Sequence, residues 1–318
     1  MNRYKHTEIL QKSGLNHYLE DYLTTMLVVG RSEHTHRRHQ SALRAFIVWC
    51  ETHNIHQLHD VSRSTLKTYR KYLFDYQPSH GTPLSKGSLN SKLTPVKKFM
   101  QWCTKEQFIA EDIAHDFDIP RKPRGIPTKI LMHQLIEHIL QQPNTNTREG
   151  IRDRTILEVL YSTAIRRSEI TYLRCQDIDF DRHTIKINES KNGQDRFVPI
   201  CSRAIKWVSR YLKNVRPHLV KQPNDEIVFL SNEGGVFQPG TLAARVKKYI
   251  KSAGINTRGS CHLFRHSVAT QMLENGADIR YIQALLGHVD LNTTEIYTRV
   301  AIKKLKEVHE KTHPMTRC

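Results

Sequence analysis

The sequence lacks any Cys-x-x-Cys pair: its six cysteines, Cys50, Cys103, Cys175, Cys201, Cys261 and Cys318, lie far apart. That scatter argues against a disulfide framework or a four-cysteine zinc site and suits a reduced compartment. No run approaches the roughly 20 apolar residues that a membrane helix needs. The mixed run Met26–Val29 is far too short. The first residues, MNRYKHTEIL, hold no apolar core of a secretory signal. Internal repeats and low-complexity tracts are missing as well. Acidic residues are scarce: 31 Asp+Glu stand against 49 Lys+Arg, a net charge of +18. Secreted, membrane and fibrous classes therefore fit poorly.

What is there is a basic globular chain. Its 318 residues predict about two domains. A hydrophobic fraction of 38% is too high for a disordered chain. A positive excess of this size points to a polyanion, most simply nucleic acid. The charge is not gathered in a tail. Residues 1–125 carry 19 basic and 12 acidic side chains, and residues 126–318 carry 30 and 19. Both halves are basic, so both can grip the same polyanion.

The first half reads as helical. Leu15, Leu19, Tyr22, Leu23 and Met26 recur at helical spacing. Gly30 breaks that pattern, and Ser32–Glu33–His34–Thr35 opens a second helix with Leu43, Phe46, Ile47 and Cys50 inward. His36, Arg37, Arg38, Gln40 and Arg44 lie on its other side, facing either phosphates or water. Residues 76–88, with two prolines and two glycines, read as a loop. The next helix runs from about Leu89 to Glu106, with Leu93, Val96, Phe99, Met100 and Cys103 inward and Asn90, Lys92, Lys97 and Lys98 elsewhere on its surface. Arg37, Arg38, Arg44, Lys92 and Lys97 are the candidate DNA contacts. The proline-rich, basic stretch Ile119–Pro127 reads as a linker. The expected division is 1–120, a linker at 121–128, and 129–318.

The second half opens helically through Ile151–Tyr172. Asp177–Phe180 ends in a turn signal at Asp181–Arg182–His183. Thr184–Ile187 alternates as a strand, Lys191–Asn192–Gly193 signals a hairpin turn, and Arg196–Ile200 is a second strand. A small β-sheet is thus inserted in a helical domain, and helices dominate from there onward.

One stretch carries chemistry: Cys261–His266, then Leu285–His288, then Tyr297. His262 and Arg265 are i and i+3, hence on one helix face. Gly287 is a good helix stop. Asn292 and Glu295 have capping-box spacing for a short helix that would carry Tyr297. The arrangement can converge an arginine, two histidines and a tyrosine on one phosphate. Each piece alone has a plainer reading, as a surface pair or a core tyrosine. A zinc reading of His262 and His266 lacks the metalloprotease glutamate and a third ligand, so no metal is expected.

Three blocks resemble the tyrosine recombinase/integrase family in its Xer-type branch. They are IRDRTILEVLYSTAIRRSEI at 151–170, ESKNGQDRFVPI at 189–200, and HLFRHSVATQMLENGADIRYIQALLGHVDLNTTEIYTRV at 262–300. The resemblance implies catalytic roles for Arg166, Lys191, His262, Arg265, His288 and Tyr297, with Tyr297 as nucleophile and Glu169 in support. The hairpin reads Ser-Lys-Asn-Gly where Gly-Lys-Gly is common. Arg196 matches the basic residue usual before the Val-Pro strand, and Ala164 replaces a usual glycine.

The fold so implied is mainly α: a helical, SAM-like core-binding domain, then an α-rich catalytic domain with a small antiparallel sheet. The implied activity is site-specific cutting and rejoining of duplex DNA through a 3′-phosphotyrosine and a Holliday junction, by a homotetramer on two core sites. A partner recombinase is compatible with this. No cofactor is needed, because the phosphotyrosine conserves the bond energy. The tail 301–314 is amphipathic, through Ile302, Leu305 and Val308, and in the family such a helix docks into a neighbouring protomer. Localisation is expected in the cytoplasm, on the nucleoid. A non-catalytic architectural protein on the same fold would have lost Tyr297 or an arginine. A topoisomerase would act as a monomer.

Overall fold

The computed structural model describes residues 3–77, 81–120, 130–188, 195–221, 226–257 and 259–287, with side chains from residue 8. The fold is mainly α with one three-stranded antiparallel sheet. Contacts divide the chain into two units, Met1–Arg124 and Gly125–Cys318. The proposed linker and the tail 301–314 lie outside the described residues.

The first unit holds α1 (Arg3–Lys12), α2 (Leu15–Val28), α3 (Glu33–Thr52), α4 (Arg63–Asp75) and α5 (Lys86–Lys105). The apolar stripe of α2 is buried at Leu15, Leu19, Tyr22, Leu23 and Met26. Helix α3 starts where its sequence signals a start. The Ser32 hydroxyl accepts from the Thr35 N–H, satisfying one of the four unpaired donors of a helix N-terminus. Its inward face, with Leu43, Phe46, Ile47 and Cys50, meets Leu93, Val96, Phe99, Met100 and Cys103 of α5 in one core. Helix α5 begins three residues earlier than its periodicity suggests. Ser85 accepts from the Ser88 N–H and caps it, so the Lys86–Gly87–Ser88 segment that reads as loop is the first turn.

The second unit is built on α7 (Arg148–Thr163), which packs against α9 (Ser202–Asn214) and α11 (Cys261–Glu274). Around it stand α6 (His133–Leu140), α8 (Arg167–Thr171), α10 (Pro239–Ser252) and α12 (Ile279–Leu286). The sheet has β1 (Ile178–Asp179), β2 (Thr184–Ile187) and β3 (Arg196–Pro199) in sequential antiparallel order. Ile185 pairs with Val198 and Ile187 with Arg196. Ile185, Ile187 and Val198 turn into the core, as alternation along β2 requires. Strand β1 is only two residues long, too short to show alternation in sequence.

The expected continuous helix over Ile151–Tyr172 is interrupted. Ala164 adopts the left-handed conformation at φ +53° and closes α7. The chain then turns, and Arg166 becomes the N-cap of α8. Nothing local to an alanine announces such a turn. Tertiary packing holds it: Ala164 is fully buried with Val268 and Ala269 of α11 and Ile282 and Leu286 of α12. Among the described residues, no helix is long and apolar enough to cross a membrane.

Replacing Ala164 with valine combines a β-branched residue in left-handed geometry with overfilling of a closed site. Ala164→Val should cost about 2–4 kcal/mol, read as a lower urea midpoint. Ala164→Gly should change little, since relief of strain offsets a lost methyl worth roughly 1 kcal/mol.

Candidate active site

Four of the seven sequence-assigned residues fall within the described structure, and three elements bring them together. Arg166 and Glu169 come from the start of α8, and His262 and Arg265 from the first turns of α11. Lys191, His288 and Tyr297 lie outside the described residues. The α12 C-terminus ends at Gly287, immediately before His288.

The C-terminus of α12 is where the arginines meet. A helix end leaves carbonyls without intrahelical donors and carries partial negative charge. Three consecutive carbonyls here each accept from a different arginine. Arg196 Nε donates to Leu285 O at 3.2 Å. Arg265 Nη2 donates to Leu286 O at 2.5 Å. Arg166 Nη2 donates to Gly287 O at 2.8 Å. Arg265 also holds the turn after α7, through Nη1 to Ala164 O at 2.8 Å. Gly287 has φ +61°, and a Cβ there would stand 3.0 Å from the Arg196 side chain. Both backbone and space call for glycine.

Glu169 ties two of these arginines to each other. Its Oε2 accepts from the Arg166 backbone N–H at 2.7 Å, and its Oε1 from Arg166 Nη1 at 2.7 Å. Arg196 forks onto the same carboxylate, Nη1 to Oε1 at 3.0 Å and Nη2 to Oε2 at 2.8 Å. Burial alone would raise the pKa of Glu169, but the bonds from Arg196 and Arg166 outweigh it and hold the carboxyl at about 2. Glu169 therefore stays ionised at working pH and cannot exchange protons with substrate.

His262 sits on α11 near Arg167, Arg265 and Arg166. Desolvation, then those cations, push its pKa below the usual value. That shift favours the neutral imidazole, which donates one hydrogen bond and accepts another. Burial, then His262 and Arg265, bring His266 down to about 4. Among the described residues no cluster of three metal-ligating side chains exists.

The candidate DNA contacts separate into groups. Arg44 and Lys92 both line one cleft of about 870 Å³ in the first unit, floored by Trp49, Tyr69, Tyr72 and Tyr76. Arg37 pairs with Glu33 on the open face of α3, and Arg38 is exposed on the same helix. Lys97 is engaged elsewhere: its ammonium donates to the carbonyls of His115 and Phe117 at 3.1 Å each. Sequence reasoning missed the aromatic floor, although tyrosines at 69, 72 and 76 follow helical spacing. It also left Arg196 as a strand residue, when the structure joins it to Glu169.

The depressed pKa of Glu169 makes a stability statement. A folded-state pKa of about 2 against 4.5 ordinarily gives stabilisation that is complete above pH 4.5 and lost as pH falls through about 2. Glu169→Gln should lower urea stability on the order of 3 kcal/mol at pH 7, with the penalty shrinking steadily below pH 4.5.

Comparison with known proteins adds identity to this geometry. Residues 129–304 match the Phage integrase family, and residues 19–107 match its N-terminal SAM-like domain. Tyrosine recombinase XerC 2 of Ralstonia nicotianae is 43% identical over 94% of this chain and 86% of its own length. Tyrosine recombinase XerD of Vibrio vulnificus is 32% identical over 93% and 95%. Among solved structures, the XerH site-specific recombinase bound to palindromic difH substrate, a post-cleavage complex, has a TM-score of 0.70 at 20% identity, covering 86% of this chain and 79% of that one. The Tn1549 transposon integrase in complex with a circular intermediate DNA has a TM-score of 0.68 at 18% identity, covering 90% and 99%. The last two show the shared fold. The matched domains and the near full-length relatives place this chain in the phage integrase family, as a tyrosine recombinase of the Xer type.

Proposed function

We propose that this chain is a site-specific DNA recombinase whose Tyr297 cuts and rejoins duplex DNA. The observation that carries the reading is the anchoring of Arg166 and Arg265 to the end of α12, the helix that leads into His288 and the Tyr297 segment. Two guanidiniums stand at the helix end from which the chain runs on to Tyr297.

The chemistry follows from the charges. A phosphodiester is anionic and repels an anionic nucleophile. Arg166 and Arg265 donate to its non-bridging oxygens as charge builds in the transition state. A tyrosine hydroxyl titrates near 10 and needs nearby cations to favour the phenolate. The Tyr297 oxygen attacks phosphorus, and the bond from phosphorus to the 5′ oxygen breaks. Lys191 supplies the proton to that leaving oxygen, while His262 and His288 donate hydrogen bonds and balance protons. The 3′-phosphotyrosine keeps the bond energy, so the reverse attack by a 5′ hydroxyl reseals the strand without a cofactor. Glu169 orients Arg166.

In this reading residues 1–120 form a core-binding domain, 121–128 a linker and 129–318 the catalytic domain. Two recombined strands pass through a Holliday junction within a tetramer on two core sites, alone or with a partner recombinase. The tail 301–314 docks into the next protomer. Arg44 and Lys92 of the first unit face the duplex, with Arg37 and Arg38 beside them on α3. The protein acts on the nucleoid in the cytoplasm, in dimer or cointegrate resolution or in integration of a mobile element.

The test is capture and sequencing of DNA covalently attached to the protein after denaturation, in a host carrying its native DNA. Wild type should yield adducts at one short inverted-repeat site. Tyr297→Phe should bind that site and yield none. Equal adducts from both would remove Tyr297 as nucleophile. Arg166→Ala or Arg265→Ala should slow cleavage by about 10²–10³-fold, the usual cost of losing one transition-state donor.

A further inference from the structure

Arg196 stands at the start of β3, five residues after Lys191 in the sequence, and its side chain is 11% exposed. Its three nitrogens already have protein acceptors: both carboxylate oxygens of Glu169 and the carbonyl of Leu285. It is also half as exposed as Arg166, at 22%, so Arg166 is the better placed of the two to bind a phosphate. Its partners are nonetheless the two things that locate Arg166. Glu169 takes the Arg166 backbone N–H and Nη1. Gly287, two residues beyond Leu285 and with an absent Cβ that makes room for the Arg196 side chain, takes Arg166 Nη2.

The charges make the arrangement more than a brace. Glu169 is a buried carboxylate beside Arg166. Alone, the pair would be neutral, and the pull of Arg166 on an incoming phosphate would be largely cancelled. With Arg196 forked onto the same carboxylate, the cluster of two guanidiniums and one carboxylate retains a net positive charge. Both Arg166 and the α12 end are then fixed in place and electrostatically available. Low dielectric around the buried groups strengthens this effect.

We propose that Arg196 is a positioning residue for strand cleavage: it offsets the charge of Glu169 and fixes Arg166 against the end of α12, without itself touching DNA. The proposal rests on the reading that Arg166 binds the scissile phosphate.

The experiment measures single-turnover formation of the covalent adduct by the full chain on the captured site. The site is synthesised with either a natural phosphodiester or a neutral methylphosphonate at the scissile position. The neutral linkage needs less cationic compensation, so it separates the charge role from simple stability. Arg196→Ala should slow cleavage of the phosphodiester by about 10²-fold, a typical cost of misplacing a reacting group, with DNA affinity unchanged. On the methylphosphonate the loss should shrink to less than about tenfold, because the lost interaction is electrostatic. Arg166→Ala/Arg196→Ala should be no slower than Arg166→Ala alone, because the two act as one unit. Arg196→Lys, which keeps the charge and loses the fork, should recover part of the rate, and Arg196→Gln should not. These two variants carry the same comparison if Arg196→Ala does not fold. Replacing both partners, Glu169→Gln/Arg196→Gln, restores the net charge and should be faster than Arg196→Gln.

Equal losses on the two linkages, additive losses with Arg166→Ala, or a loss confined to DNA affinity would overturn the proposal. Failure of wild type to form an adduct on either linkage would overturn the underlying reading of the chemistry, and the proposal with it.

Discussion

The arrangement at the end of α12 depends on one carboxylate. Glu169 has two oxygens, and both are occupied by hydrogen bonds from two arginines. A buried charge is tolerated only when paired and hydrogen-bonded, and removing one partner costs more than the pair contributes. Two of the three arginines that meet at the end of α12 are referenced to this group. Arg166 is oriented by it from α8, Arg196 reaches it from β3, and both arginines then bind carbonyls of the same helix end. The negative end of the α12 dipole and the cations around it complement each other.

The backbone around this cluster is shaped to allow it. Two left-handed residues, Ala164 and Gly287, end the helices α7 and α12. The first frees a carbonyl for Arg265, and the second frees one for Arg166. A small apolar cluster, with Ala164, Val268, Ala269, Ile282 and Leu286, closes the space behind them. Polar and apolar parts thus fix the same geometry from two sides. The buried face of each helix sets its position, and the arginines set its end.

Legibility in the sequence followed the range of the signal. Helices α2, α3 and α5 could be read because an apolar stripe repeats over about two to three turns, and Ser32 marks a start by its own chemistry. Strands β2 and β3 could be read from alternation and a turn signal. The break at Ala164 could not, since an alanine enters left-handed geometry only under tertiary constraint. The pairing of Arg166 with Glu169 lies within one helical turn, and the family resemblance supplied both residues. The pairing of Glu169 with Arg196 spans 27 residues, and that of Arg166 with Gly287 spans 121. No local pattern encodes either. The residues alone left a convergence on phosphate open, and the family resemblance named the set. Lys97 shows the opposite limit: a lysine on an exposed-looking helix face can be an internal clamp on loop carbonyls.

Three donors on three successive carbonyls also make the end of α12 behave as a latch. A helix advances only 1.5 Å per residue. A slide of that size along its axis would disturb all three bonds together. The arginines therefore hold the helix end in register as a group. The position of the helix end and the positions of the three arginines are thereby one mechanical variable.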